Sequence, residues 1–142
     1  MENSKIILLA EDNPKDAELM FLALEGSNID IVHVKDGAEA LDYLYYGGRF
    51  NERDQGKPTV IFLDLKMPKL DGLQVVKQVR ADENLKTIPI VMLTSSREEK
   101  DLAESYNLGA NAYVVKPVTF DKFIETIKQI GIFWALINEA PI

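Results

Sequence analysis

Cysteine is absent from this 142-residue chain, which excludes a disulfide framework and any thiolate-held metal. No apolar stretch approaches the length of a membrane span. A basic stripe is missing too: the net charge is −7, which argues against a nucleic-acid surface and for a protein-binding module. Met1-Glu2-Asn3-Ser4 has neither the basic nor the apolar region of a signal peptide, so a cytoplasmic location is expected. Histidine occurs once. His33 lies in Ile29-Asp30-Ile31-Val32-His33-Val34, a short strand whose alternation turns polar side chains outward, and it reads as an exposed strand residue with no catalytic part. No glycine-rich phosphate loop lies between a strand and a helix. Gly47-Gly48 reads as a helix stop, and Arg49 to Lys57 as a long loop.

What is present is 46% hydrophobic residues, enough to bury one ordinary core, arranged in short apolar runs. The run Val60-Ile61-Phe62-Leu63 is β-branched and apolar throughout, as expected of a strand buried on both faces, and it closes on Asp64. Pro68 and Gly72 then forbid continuation of the same element. A second run, Lys5 to Ala10, closes on Glu11 and Asp12 ahead of Asn13-Pro14, an N-cap followed by a proline at the first helical position. Chemistry collects at the carboxyl ends of strands in an open parallel sheet. If these two strands are neighbours, three carboxylates crowd one crevice, and each like-charge pair at about 4 Å and an effective dielectric near 20 costs about 4 kcal/mol. A cation must compensate. Magnesium suits the donor set, because it binds through one or two carboxylates, keeps waters and leaves room for a phosphoryl oxygen. Two further strand ends deliver Thr94, after Pro89 to Leu93, and Lys116, after Ala112 to Val115. A hydroxyl and a point-charge donor around such a carboxylate are what a phosphoryl group on Asp64 would need.

In order and spacing, Glu11-Asp12, Asp64 with Met67-Pro68 and Asp71-Gly72 downstream, Thr94-Ser95, and Tyr113 ahead of Lys116-Pro117 resemble the receiver domain of two-component response regulators. The resemblance runs from Lys5 to about Ile130. It implies that Asp64 is the phosphoacceptor, that Asp12 and Asp64 with the backbone carbonyl of Lys66 bind Mg2+, and that Glu11 contributes through the metal's water shell. It also implies that Thr94, Tyr113 and Lys116 are the switch and phosphate-binding residues, and that Lys66 and Ser96 tune hydrolysis. Family members often carry Asp where this chain has the longer Glu11. The implied partner is a sensor histidine kinase.

Helix starts support the same architecture. Asp36 to Glu39, Asp71 to Gln74 and Ser96 to Glu99 have capping-box spacing and open helices over Gly37 to Tyr46, Gly72 to Ala81 and Arg97 to Leu108; Pro14 to Glu25 and Phe120 to Ile130 supply two more. Five strands alternating with five helices predict an α/β fold with a doubly wound parallel sheet, and the resemblance implies the flavodoxin-like strand order 2-1-3-4-5. Residues 1–142 are expected to form a single receiver domain, with its core at about 5–130, a C-terminal tail at 131–142 and no room after Lys116 for an output domain.

The tail Gly131-Ile132-Phe133-Trp134-Ala135-Leu136-Ile137 is unusually apolar for a chain end. With the long loop before Pro58, it is similar to the stand-alone regulators that partner phytochrome-type kinases, and it offers a surface for homodimerisation. Two other classes fit less well. A haloacid-dehalogenase-type phosphatase also builds an aspartyl phosphate, but places a second Asp two residues after the nucleophile, where this chain has Lys66. A flavodoxin-like flavin binder carries a Ser/Thr/Gly-rich loop after its first strand, where Glu11 and Asp12 would repel the flavin phosphate.

Overall fold

Each apolar run becomes a strand, and the strands pair in parallel because a helix intervenes between every two of them. The computed structural model describes residues 5–67 and 70–136. Pro68, Ile137 and the residues at either end fall outside that description. The elements run β1 (Lys5–Ala10), α1 (Pro14–Ala23), β2 (Ile29–Val34), α2 (Gly37–Tyr45), β3 (Val60–Asp64), α3 (Gly72–Ala81), β4 (Ile90–Thr94), α4 (Arg97–Ser105), β5 (Ala112–Val115), α5 (Phe120–Gln129) and α6 (Phe133–Leu136). The sheet has five strands in the order β2-β1-β3-β4-β5, and its register sets Ala10 beside Leu63, Asp64 beside Leu93 and Thr94 beside Val115.

Period-two alternation divides the core. Ile7, Leu9, Val60, Phe62, Val91, Leu93, Ala112 and Val114 point to one face, where Ala17 and Met20 of α1 and Phe123 and Ile127 of α5 cover them. Leu8, Ala10, Ile61, Leu63, Ile90 and Met92 point to the other, under Ala40, Tyr43 and Leu44 of α2 and Val75, Val76 and Val79 of α3. Continuing this alternation past the last apolar residues assigns Glu11, Asp64 and Lys116 to the α1/α5 face, and Thr94 and Tyr113 to the opposite one.

The expected capping boxes differ in detail. Asp71 and Gln74 form a full reciprocal box at 3.0 Å in both directions. At α2 and α4 the cap oxygen still accepts the third amide, Glu39 N–H to Asp36 Oδ1 at 2.8 Å and Glu99 N–H to Ser96 Oγ at 3.1 Å. The returning carboxylates, however, take the amide one residue earlier, Lys35 at 3.0 Å and Ser95 at 2.7 Å. Gly72 has no latitude. A Cβ there would run into the carbonyl oxygen of Asp64, so the β3–α3 turn closes over the strand end only with glycine at that position.

Four helices end before their expected limits, α5 by one residue at Gln129. α1 closes at Ala23 with Leu24 as its C-cap, and α4 stops at Ser105, beyond which Asn107 and Gly109 take positive φ. At the end of α2 the left-handed residue is Tyr46, with φ 60°, and not a glycine. Its ring repays that strain by lying 4.0 Å from the Arg53 guanidinium, which also stacks at 3.8 Å on Tyr43, and its hydroxyl accepts the Gly56 N–H at 3.0 Å. The long loop is therefore pinned, with one 3-10 turn at Gly48–Phe50. At the same pole, Arg80 of α3 donates to the carbonyls of Gly109, Lys86 and Ile88 and to Asn111 Oδ1, all between 2.9 and 3.0 Å.

The tail departs from a bare appendage. Ile132 and Phe133 pack against the α1/α5 core and Leu136 is buried, so Phe133–Leu136 folds as the short helix α6. Trp134 stays outside at 64% exposure. His33 likewise departs from expectation: half-buried, its Nε2 lies 2.8 Å from the Glu11 carbonyl and its ring meets Phe21 edge-on. It props up the backbone behind an acidic residue, a structural role.

Candidate functional site

Strands β1 and β3 are adjacent, so the acids that end them meet. Carboxylate oxygens of Glu11, Asp12 and Asp64 all lie within 4.8 Å of one another. Glu11 is 1% exposed and Asp64 5%, whereas Asp12 faces solvent. Two buried carboxylates side by side must be compensated. Lys116, arriving from the end of β5 across β4, supplies the charge: its Nζ donates to Glu11 Oε1 at 3.2 Å and Oε2 at 3.3 Å, and to Asp64 Oδ2 at 3.2 Å. The Lys116 N–H to Thr94 carbonyl bond, 2.8 Å, fixes the backbone from which that side chain springs.

A fourth acid joins them that the sequence did not single out. Asp16, in the first turn of α1, brings Oδ2 to 2.9 Å from Lys116 Nζ. An acid at that place reads as a partner for the helix dipole, and only the face assignment of α1 could have marked it.

Burial and then the neighbouring Asp64 carboxylate push the Glu11 carboxyl up to about 7, against the opposing pull of the Asn13 amide and Lys116. Burial alone would lower the Lys116 ammonium, but Asp16, Asp64 and Glu11 outweigh it and hold it above the ordinary lysine range. Among the described residues the site is a cluster of oxygen donors with one fixed cation, Lys116. That donor set suits a hard divalent ion, with Glu11, Asp12 and Asp64 in reach of a shared position.

The remaining residues divide as the alternation requires. Thr94 is fully buried, its hydroxyl shared between the Ser96 and Val114 carbonyls at 3.4 Å each. Tyr113 is half-buried and its hydroxyl accepts the Leu108 N–H at 3.2 Å. Lys66 turns its amide to Asp64 Oδ1 at 3.3 Å, while its ammonium reaches Glu99 Oε2 at 3.1 Å. Because Glu99 also holds Ser95, this pair, exposed at Lys66 and largely covered at Glu99, joins the turn after Asp64 to the start of α4. No general acid stands where a dehalogenase-type phosphatase needs one.

Comparison with known proteins agrees with this arrangement. Residues 7–128 match the family model described as the response regulator receiver domain, and the chain belongs to that family. It is similar to the solved bacteriophytochrome response regulator RtBRR, with 54% identity and a TM-score of 0.86 over 98% of this chain and 85% of that one. The bacteriophytochrome response regulator AtBRR gives 52% identity and a TM-score of 0.88 over 97% of this chain and all of that one, its coverage being 100%. Response regulator Rcp1 of Synechocystis sp. is 35% identical over 92% of this chain and 88% of its own length; a structure of an Rcp1 in its Mn(2+)-bound form has a TM-score of 0.72 at 32% identity, over 97% of this chain and 99% of that one. The protein is thus a receiver-domain response regulator with phytochrome-associated relatives, and among its described residues no helix is long and apolar enough to cross a membrane.

The raised Glu11 carboxyl has a signed consequence. In the unfolded chain the group loses its proton near 4.5, in the folded protein only near 7, so its contribution to stability is full below the lower value and is lost as pH rises to the higher. Urea denaturation followed by circular dichroism in chelator-containing buffer is expected to show wild type losing stability relative to Glu11→Gln between those two pH values. The raised Lys116 ammonium contributes stability that persists through this window and is lost only at alkaline pH.

Proposed function

We propose that this response regulator accepts a phosphoryl group on Asp64 from a sensor histidine kinase and catalyses both that transfer and the later hydrolysis itself. The observation that carries the reading is Lys116 Nζ at 3.2 Å from Asp64 Oδ2, inside a cluster of acids that also includes Glu11 and Asp12. An Asp64 oxygen attacks phosphorus, the P–N bond to the kinase imidazole breaks, and the imidazole leaves with the bonding electrons; the product is a mixed anhydride. Lys116 neutralises charge growing on the transferring oxygens. Glu11, Asp12 and Asp64, with the Lys66 backbone carbonyl, would hold Mg2+, which when bound supplies electrostatic stabilisation to the phosphoryl oxygens. Water then cleaves the anhydride and restores Asp64. The family partners sensor histidine kinases, and likeness to two bacteriophytochrome response regulators favours a phytochrome-type kinase here.

Phosphate on Asp64 offers the Thr94 hydroxyl a charged acceptor in place of two long bonds to carbonyls. Moving Thr94 draws Ser95 and the start of α4 inward, and Tyr113, bonded to the Leu108 amide in the turn that follows that helix, moves with it. The readout is protein–protein contact. Exposed Trp134, edge-on to Phe133 at 5.9 Å, supports pairing of two chains through the C-terminal region.

Acetyl phosphate with Mg2+ is expected to add one phosphoryl group to wild type and none to Asp64→Asn, as read by intact mass; stoichiometric label on the variant would remove Asp64 from the role. Beryllofluoride should alter hydrogen exchange from Ser95 to Leu108 in wild type, and much less in Thr94→Ala; equal changes in both would take Thr94 out of the switch. Sedimentation velocity should find a dimer for wild type that weakens by about tenfold or more in Trp134→Ala, given about 2 kcal/mol for burying a large side chain. Monomers at all concentrations would dismiss the interface.

A further inference from the structure

We propose that Asp16 is a positioning residue for Lys116: a carboxylate outside the metal-binding cluster that keeps the ammonium beside Asp64 without letting it collapse onto the nucleophilic oxygen. The proposal rests on the reading of Asp64 as phosphoacceptor. Of the three carboxylates around Lys116 Nζ, Asp16 is the nearest, at 2.9 Å against 3.2 Å for both Glu11 and Asp64. It is not one of the three acids whose oxygens lie within 4.8 Å of one another. A divalent cation shared by Glu11, Asp12 and Asp64 would compete with the lysine for those carboxylates, whereas Asp16 lies outside that set and would keep its contact.

The position of Asp16 is also fixed. Asn13 caps α1 by accepting the Lys15 and Asp16 amides at 2.9 and 3.3 Å, and Pro14 sets the first helical φ. Lys116 is held with little freedom, its side chain only 14% exposed. Attack on phosphorus needs an Asp64 lone pair that is not spent on the ammonium, together with that ammonium close enough to meet charge on the phosphoryl oxygens. Asp16 meets both needs by giving Lys116 a nearer carboxylate partner, at 2.9 Å, that is not one of the three clustered acids. It takes no proton and forms no bond in the transfer. Without it, Lys116 has only Glu11 and Asp64 to pair with, and the nucleophile is masked.

An acid in the first turn of α1 also favours the helix dipole. The test must separate that effect from positioning. The full chain is prepared as wild type, Asp16→Asn, Asp16→Glu and Asp12→Ala, with circular dichroism to verify a common fold. Three quantities are measured: the 1H–15N signal of the Lys116 ammonium, assigned by its loss in Lys116→Arg; the rate of labelling by acetyl phosphate with Mg2+; and Mg2+ affinity by calorimetry. Asp16→Asn is expected to shift or broaden the ammonium signal and to slow labelling by about tenfold. Its Mg2+ affinity should stay within about twofold of wild type while Asp12→Ala loses most of it. Asp16→Glu should recover the ammonium signal. An unchanged Lys116 signal and labelling rate in Asp16→Asn, with only a lowered melting temperature, overturns the proposal in favour of the helix dipole. Loss of Mg2+ affinity equal to that of Asp12→Ala overturns it in favour of a metal ligand. Absence of label on wild type defeats the phosphoacceptor reading instead, and the ammonium signal then decides positioning alone.

Discussion

One ammonium makes this site possible. The parallel sheet forces the ends of β1 and β3 together, and both end in acids that the core buries. Left alone, Glu11 and Asp64 would repel each other in a poorly solvated crevice, and one would stay protonated at neutral pH. Lys116 relieves part of that repulsion from a strand two places away in the sheet. The push on Glu11 to about 7 measures how incomplete the relief is. The remaining negative potential favours a second, mobile cation, so the same imbalance that strains the fold prepares it for metal and phosphoryl chemistry.

The alternation of side chains across the sheet adds a division of labour. Glu11, Asp64 and Lys116 share parity with Ile7, Phe62 and Val114 and lie toward α1 and α5. Thr94 and Tyr113 share parity with Met92 and lie toward the other helices. The acid–lysine cluster and the Thr94–Tyr113 pair thus occupy opposite faces of the sheet at the carboxyl ends of its strands, joined through β4 and the turns around it. Lys66, with its amide on Asp64 and its ammonium on Glu99, is one such join. Its lysine end is exposed and screened by solvent, whereas its Glu99 end is largely covered.

Most of this was legible because buried parallel strands are short apolar runs, and the polar residue that ends each run is conspicuous. Asp64, Glu11, Asp12, Thr94 and Lys116 declared themselves in that way, and the caps of α2, α3 and α4 marked where helices begin. What escaped was set by tertiary contact. Asp16 sits one helical turn beyond Asp12, and nothing local distinguishes it from an ordinary first-turn acid. Tyr46 takes the left-handed position because Arg53 and Gly56 hold its ring and hydroxyl, partners that no short-range pattern reveals. His33 is tied to the Glu11 carbonyl by a strand pairing, where alternation alone predicted exposure. The apolar tail was visible as such, but its partition into inward Leu136 and outward Trp134 depends on where α5 ends and the core begins.

Arg80 gives the molecule a mechanical asymmetry. Its guanidinium ties the end of α3 to the segments that enter β4 and β5, and each acceptor is a neutral carbonyl or amide oxygen. None of these partners titrates, and none is exchanged for a counter-ion as salt rises. The clamp is therefore less sensitive to pH and salt than the charged cluster around Asp64. The acid cluster lies at the carboxyl ends of the strands and this fastening at the amino ends of β4 and β5, so the two poles are held by different physics.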